Sequence, residues 1–242
     1  MSETSDMRLS SYPNPLFRGW YLGRGVQEPQ PWYAFARKVL QVVTVPMFKL
    51  RVFNRHFEPT SGSAVFICNH QSFVDPILIS VALRRPMNYM ARDSLFRIPI
   101  FGPLIFSYNA FPVKRGTADT GAIKEAMRRL KNGAQVVMFA EGTRTIDGHI
   151  QPFLPGVAML AQRSADWTVP VVIDGAYEAW PRTQKWPSPG HVTVQYGEPI
   201  PQSETRKLSA QELVDQLRQT MIQMQGDMRR RLGRPPLDYD DV

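Results

Sequence analysis

The run Ala64-Val65-Phe66-Ile67-Cys68 has no polar side chain on either face and ends abruptly at Asn69-His70-Gln71. Such a strand is buried on both sides and needs cover above and below. Helix and strand patterns alternate after it. Pro76–Leu83 reads as a helix, Met87–Arg92 and Asn109–Val113 as strands, and Asp119 to Asn132 as a helix with Ala122, Ile123, Ala126, Met127 and Leu130 on one face. Asn132-Gly133 is a helix stop. Gln135–Ala140 reads as a strand, Pro155–Arg163 as a short helix, and Val169–Ile173 and His191–Tyr196 as strands. Ser209-Ala210-Gln211-Glu212 is a capping box, opening a helix with Leu213, Leu217, Met221, Met224 and Met228 at core-facing spacing. The alternation predicts an α/β fold, a mixed and mostly parallel sheet covered by helices.

The 242 residues divide into a polar tail (1–29), an amphipathic two-helix segment (30–60), an α/β core (61–206) and a C-terminal helix and tail (207–242), all within one domain. Between Trp32 and Phe53 the chain is apolar and aromatic, interrupted by Arg37, Lys38, Lys49 and Arg51. Its longest uncharged run, Val39 to Phe48, has ten residues and contains Pro46, too short for a span of about 20. Two helices of this kind suit a membrane interface; core packing is the competing reading. A second apolar stretch, Ile98 to Val113, runs sixteen residues without a charge, but Pro99, Pro103 and Pro112 forbid one continuous helix. It could line an apolar tunnel, touch a bilayer or form ordinary core.

Met1 to Asp6 carries no basic n-region or apolar h-region, so no secretory signal is expected. The single cysteine, Cys68, excludes an intrachain disulfide framework and reads as a packing residue. A net charge of +8 suits a polyanion: nucleic acid, an anionic membrane surface or a phosphorylated substrate. Zinc-ligand spacing, a Walker motif, an RNA-binding signature and a helix-turn-helix pattern are all lacking in the sequence.

His70 and Asp75 stand five residues apart at the end of the first strand pattern. A carboxylate bonded to Nδ1 fixes the imidazole tautomer and leaves Nε2 to accept a proton, the arrangement that activates a hydroxyl. Positions i and i+5 point about 140° apart on a helix, so the pair needs a turn. Asp75 before Pro76 is equally a helix start. Glu141-Gly142-Thr143-Arg144-Thr145 follows an apolar strand, where α/β proteins place ligands. Gly142 permits close backbone approach and Arg144 can clamp a phosphate. Lys114-Arg115 and Arg92 put further cations at strand exits.

Four blocks in this order resemble the PlsC-type glycerolipid acyltransferases, which include the 1-acylglycerol-3-phosphate acyltransferases. Asn69-His70-Gln71-Ser72-Phe73-Val74-Asp75 is similar to the family's NHxSxxD block, Phe111-Pro112-Val113-Lys114-Arg115 to its second, Phe139-Ala140-Glu141-Gly142-Thr143-Arg144-Thr145 to FPEGTRS, and Val169-Pro170-Val171-Val172 to its proline-centred fourth. Ala140, Thr145 and Asn109 depart from the usual proline, serine and glycine. The resemblance spans about residues 60–200. It implies a general base, His70, oriented by Asp75. Acceptor binding is implied for Arg92, Arg115, Glu141, Gly142, Thr143 and Arg144, with Glu141 organising the acceptor site or its arginines, or serving only as a structural partner of Arg144. Acyl-CoA or acyl carrier protein would be the donor and a lysophospholipid the acceptor, lysophosphatidate first among the candidates. Another lysophospholipid, a lyso-aminolipid or glycerol 3-phosphate is the alternative acceptor, and a noncatalytic lipid-binding module the alternative use of the scaffold. No metal, resident cofactor or nucleic acid is expected, and the protein is expected at the cytoplasmic face of a membrane, peripheral or monotopic.

Overall fold

The computed structural model describes residues 31–114 and 119–240. In chain order the elements are α1 (Pro31–Met47), β1 (Arg51–Phe53), β2 (Ala64–Cys68), α2 (Asp75–Ser80), β3 (Met87–Arg92), α3 (Phe101–Ser107), β4 (Ala110–Val113), α4 (Thr120–Lys131), β5 (Gln135–Phe139), α5 (Gly156–Arg163), β6 (Trp167–Asp174), α6 (Ala176–Ala179), β7 (Thr193–Tyr196), β8 (Ile200–Pro201), α7 (Gln202–Thr205) and α8 (Ala210–Arg231). Short 3-10 turns cover Arg55–Phe57 and Asp93–Arg97.

The strands form one sheet in the order β1-β7-β6-β2-β5-β3-β4, with β8 beside β6. From β6 to β4 the pairing is parallel; β7 and β8 run antiparallel to β6. The sheet is therefore mixed and mostly parallel, with helices covering it. β2 lies at its centre and explains why that run is wholly apolar. Ala64, Phe66 and Cys68 face one core with Leu78, Ile79 and Tyr196. Val65 and Ile67 face the other, with Leu130, Leu160, Leu217 and Met221.

α4 is capped by Asp119, whose Oδ1 accepts from the Ala122 amide at 3.0 Å and whose Oδ2 accepts from the Lys114 amide at 2.7 Å. α8 carries both hydrogen bonds of the Ser209–Glu212 capping box. It buries Leu213, Leu217, Met221 and Met228, and Met224 is partly buried against the same core. Each such side chain removed from water stabilises by about 1.5–3 kcal/mol. Asn109 has φ +62° just before β4; glycine or asparagine is what that left-handed position accommodates.

The segment from Trp32 to Phe53 departs from the two-helix expectation. Its described part is one helix, α1, followed by strand β1, which pairs in parallel with β7. Three strand residues are too few to show a period. Pro46 lies in the last turn of α1, and the helix ends one residue later. The helix packs one face and exposes the other. Tyr33, Ala36 and Thr44 are buried, whereas Trp32, Phe35, Val39, Val42, Val43 and Val45 are exposed. Among the described residues no helix is long and apolar enough to cross a membrane. The tail at 1–29 lies outside the described residues.

Candidate active site

β2 ends at Cys68, and the chain turns so that Asp75 folds back under the His70 ring. Asp75 Oδ2 accepts from His70 Nδ1 at 2.8 Å, from the Gln71 amide at 2.6 Å and from the Ser72 amide at 2.8 Å. With the Nδ1 proton on the carboxylate side, Nε2 carries the lone pair. Both partners are buried, Asp75 fully and His70 to 7% exposure. Phe139, the last residue of β5, stacks on the His70 ring with centroids 3.9 Å apart and planes 21° apart. The carboxylate and the stack together fix the imidazole.

The rest of the turn is scaffold. Asn69 donates through Nδ2 to the Ile173 carbonyl at 2.9 Å and accepts through Oδ1 from the Ile173 amide at 2.8 Å, tying the turn to β6. Gln71 donates to the Gly148 carbonyl at 3.0 Å and accepts from the Ala176 and Tyr177 amides. The Ser72 hydroxyl donates to the Trp180 carbonyl at 2.9 Å. Sequence reading quoted these residues within the motif without giving them work. Phe139 and Phe73 were likewise quoted within the motifs and given no role. Phe139 stands in register with Cys68, so the pairing of β2 with β5 is the signal that locates it.

The loop after β5 closes over the same turn. Glu141 is buried, and its Oε1 accepts from the His70 amide at 3.1 Å. Burial pushes its carboxyl up to about 8 and the nearby Asp75 charge adds to this, while the His70 hydrogen bond opposes it. Gly142 has φ +68°, and a Cβ there would lie 2.5 Å from Leu154 Cδ1. Gly142 and Thr143 are exposed. Arg144 places its guanidinium 3.5 Å from the centre of the Phe73 ring, a cation–π contact that holds a planar cation beside the turn. The Thr145 amide donates to the His70 carbonyl at 2.8 Å.

His70, Asp75, Glu141 and Arg144 thus converge through the turn and the loop. Arg92 is exposed at the end of β3. β5 separates it from β2, so about 10 Å of sheet width intervenes, at the same sheet edge. Arg115 lies outside the described residues. Cys68 is fully buried, and burial raises its thiol well above the usual range, which suits packing and not nucleophilic work. Among the described residues no group of three or more His, Cys, Asp or Glu is placed to hold a metal ion.

The arrangement offers a fixed imidazole with a free basic nitrogen, a buried carboxylate behind it and a guanidinium alongside. That is equipment for deprotonating a hydroxyl on an anionic molecule. A chloroplast 1-acyl-sn-glycerol-3-phosphate acyltransferase of Arabidopsis thaliana is 29% identical over 62% of this chain and 43% of its own length. The 1-acyl-sn-glycerol-3-phosphate acyltransferase of Cocos nucifera is 32% identical over 59% of this chain and 47% of its own. This chain therefore spans under half the length of these two relatives. The Bacillus subtilis 1-acyl-sn-glycerol-3-phosphate acyltransferase is 29% identical over 74% of this chain and 88% of its own length. The fold matches the crystal structure of the 1-acyl-sn-glycerophosphate acyltransferase PlsC from Thermotoga maritima with a TM-score of 0.61, at 23% identity, over 86% of this chain and 88% of that one. The Acyltransferase family profile covers residues 49–174, from just before β1 to the end of β6, and so includes the turn, the loop and the strand that Asn69 grips: the chain belongs to the Acyltransferase family.

Proposed function

We propose that this protein transfers a fatty acyl group from a thioester, acyl-CoA or acyl carrier protein, to the free hydroxyl of lysophosphatidate, giving phosphatidate. The observation that carries this reading is the His70–Asp75 pair, hydrogen-bonded at 2.8 Å with Nε2 left over. The acceptor hydroxyl gives its proton to His70 Nε2 as its oxygen attacks the thioester carbonyl carbon. The tetrahedral intermediate collapses, the C–S bond breaks, and the imidazolium proton passes to the departing sulfur. A thiol has a pKa of about 8.5, so the thiolate leaves without a strong acid. Atoms and charge balance without a covalent acyl-enzyme. Asp75 compensates the imidazolium charge and holds the ring.

Arg144, with Arg115 and Arg92, binds the acceptor phosphate. Glu141, pushed up to about 8, is mostly protonated at neutral pH, so it leaves the positive field of these arginines intact. Its amide contact also fixes the backbone of the base. The acceptor dissolves in a bilayer, and the exposed face of α1 with Lys38, Lys49 and Arg51 docks the protein on an anionic membrane surface, while Arg37 donates from the packed side to the Leu83 and Arg84 carbonyls. The test is purified full-length protein with acyl-CoA or acyl carrier protein, offered lysophosphatidate, other lysophospholipids and glycerol 3-phosphate in parallel, with the products weighed by mass spectrometry. Phosphatidate as the main product is expected. A different acylated product reassigns the acceptor, and no product from any acceptor overturns the reading in favour of a noncatalytic lipid-binding protein.

A further inference from the structure

The connection from β3 to β4 carries an apolar tip that neither the site nor α1 uses. After the 3-10 turn Asp93–Arg97, the residues Ile98, Ile100, Phe101 and Leu104 are all exposed, Ile100 to 85%. Ile100 has φ +68° and ψ −48°, and the Phe101 amide closes onto the Pro99 carbonyl across it, a γ-turn backbone that strains a β-branched residue. Folding alone favours glycine there. An apolar, strained and almost fully exposed side chain answers to something outside the fold.

Four amides of the tip are met within its own backbone. The amide of Ile98 donates to Leu95, that of Phe101 to Pro99 at 2.7 Å, that of Gly102 to Ile98 at 2.9 Å and that of Leu104 to Ile100 at 3.1 Å. Pro99 and Pro103 have no N–H to satisfy. Gly102 makes this compactness possible, since a Cβ there would lie 2.3 Å from the Phe96 carbonyl oxygen. Irregular backbone enters hydrocarbon only when its polar groups are met internally. Around the tip stand Arg92, Arg97 and Lys114, all exposed, against two acids among the described residues, Asp93, 3.6 Å from Arg97, and Asp119, which accepts from the Lys114 amide and caps α4. At the far end of α3 the Trp32 indole of α1 donates to Ser107 at 3.1 Å, so the apolar surface of α3 continues into that of α1.

We propose that Ile98–Leu104 is a second membrane-insertion element: it buries Ile98, Ile100, Phe101 and Leu104 in an anionic lipid surface, with Arg92, Arg97 and Lys114 at the headgroups. The occupant is a bilayer because the fringe is cationic, most of the tip's amides are met internally, and the proposed acceptor is a lipid; the inference rests in that last respect on the function proposed above. Together with α1 it gives two points of contact, which fix the tilt of the protein on the membrane where one helix alone leaves it free to roll.

The decisive experiment labels the tip. Cys68 is fully buried, so Ile100→Cys in the full chain takes an environment-sensitive fluorophore at one site. With vesicles of phosphatidylglycerol and phosphatidylcholine the label should shift to the blue and be quenched by lipids carrying a quencher in the acyl chain. An unshifted label on protein that floats with the vesicles overturns the proposal, as does failure to float at all. A blue shift that grows with protein concentration without lipid also overturns it, in favour of a second copy as the occupant. In parallel, Ile100→Gly should keep or raise the melting temperature by relieving the strain, yet lower vesicle partitioning about 10-fold or more, as expected for one large side chain withdrawn from an apolar phase. A drop in melting temperature with unchanged partitioning means that Ile100 serves the fold. Turnover of a short-chain, water-soluble lysophosphatidate separates the two claims. If the wild-type protein is inactive on it while the label still inserts, the proposed function fails and the membrane element stands.

Discussion

Replacing Asp75 by Asn changes one atom and tests the whole chemical reading. The side chain is fully buried and Oδ2 takes three N–H groups. An Asn oxygen in the same place can still accept from the Gln71 and Ser72 amides, so the turn should persist and the melting temperature should change little. The charge, however, is gone. When His70 takes the acceptor's proton it becomes an imidazolium with no counter-ion behind it. Two unit charges about 4 Å apart at an effective dielectric near 20 attract by about 4 kcal/mol. Part of that is offset by the neutral hydrogen bond that remains, worth about 1 kcal/mol. A loss of about 3 kcal/mol in the transition state is roughly a hundredfold in rate. Should the Asn amide turn its NH₂ toward Nδ1, the imidazole is held in the wrong tautomer, and the loss grows to about 10⁴. The assay is release of free CoA, followed with a thiol reagent; buried Cys68 adds no background. His70→Ala should cost about 10²–10⁴, and His70→Ala with Asp75→Asn no more than His70→Ala alone, because the carboxylate works through the ring. Folded Asp75→Asn protein within threefold of the wild-type kcat would refute the reasoning, and multiplicative losses in the double variant would show that Asp75 acts independently of the base.

Three further outcomes are expected. Glu141 rises from about 4.5 to about 8 on folding, so the folded protein holds a proton that the unfolded chain has lost; stability should fall as pH rises between those values, by on the order of 3 kcal/mol at pH 7, and chemical denaturation of Glu141→Gln across pH 5–9 should show a flattened profile. Arg144→Ala should weaken use of lysophosphatidate about 10- to 100-fold more than use of an acceptor without a phosphomonoester, the size of one charge-assisted hydrogen bond, read as kcat/KM for each; equal losses would assign Arg144 to the donor or to the fold. Gly142→Ala should cost about 1–2 kcal/mol for the left-handed backbone, besides displacing Leu154, and the thermal melt and acceptor KM should both move.

The elements legible in the sequence are those whose signal is local. Met87–Arg92 is a strand with the bounds its residues suggest, and the capping box at Ser209 opens α8. The turn at His70 was legible for the same reason, because the spacing to Asp75 needs a backward fold and the hydrogen bond supplies it. What was not legible depends on strand order. β1 has three residues and β8 has two, too short for any period, and they exist because β7 and β6 offer edges to pair with. Asn69 reaches Ile173 across a sequence separation of 104. Phe139 reaches His70 only because β5 lies next to β2. Apolar composition in Trp32–Phe53 could not say that one stripe of α1 would pack while the other stayed exposed, since that division is set by where α2 and α3 pass beneath it.

The two carboxyls beside His70 show how one environment gives them opposite tasks. Asp75 meets the ring itself and Glu141 meets the His70 backbone amide, so both sit in the same buried corner. Two ionised carboxylates there would repel each other with little water to screen them. The hydrogen-bond donors are shared unequally: three N–H groups gather on one oxygen of Asp75, while a single amide from the His70 turn reaches Glu141. The proton collects on Glu141 chiefly because burial disfavours its charge; the Asp75 charge adds to this, and the His70 and Gln151 amides only oppose it. A negative charge is thereby kept behind the imidazole, where a developing imidazolium needs it. It is withheld from the loop beside Arg144, where it would oppose an incoming phosphate. Exchanging the two environments would leave the same residues in contact and remove the reason for either.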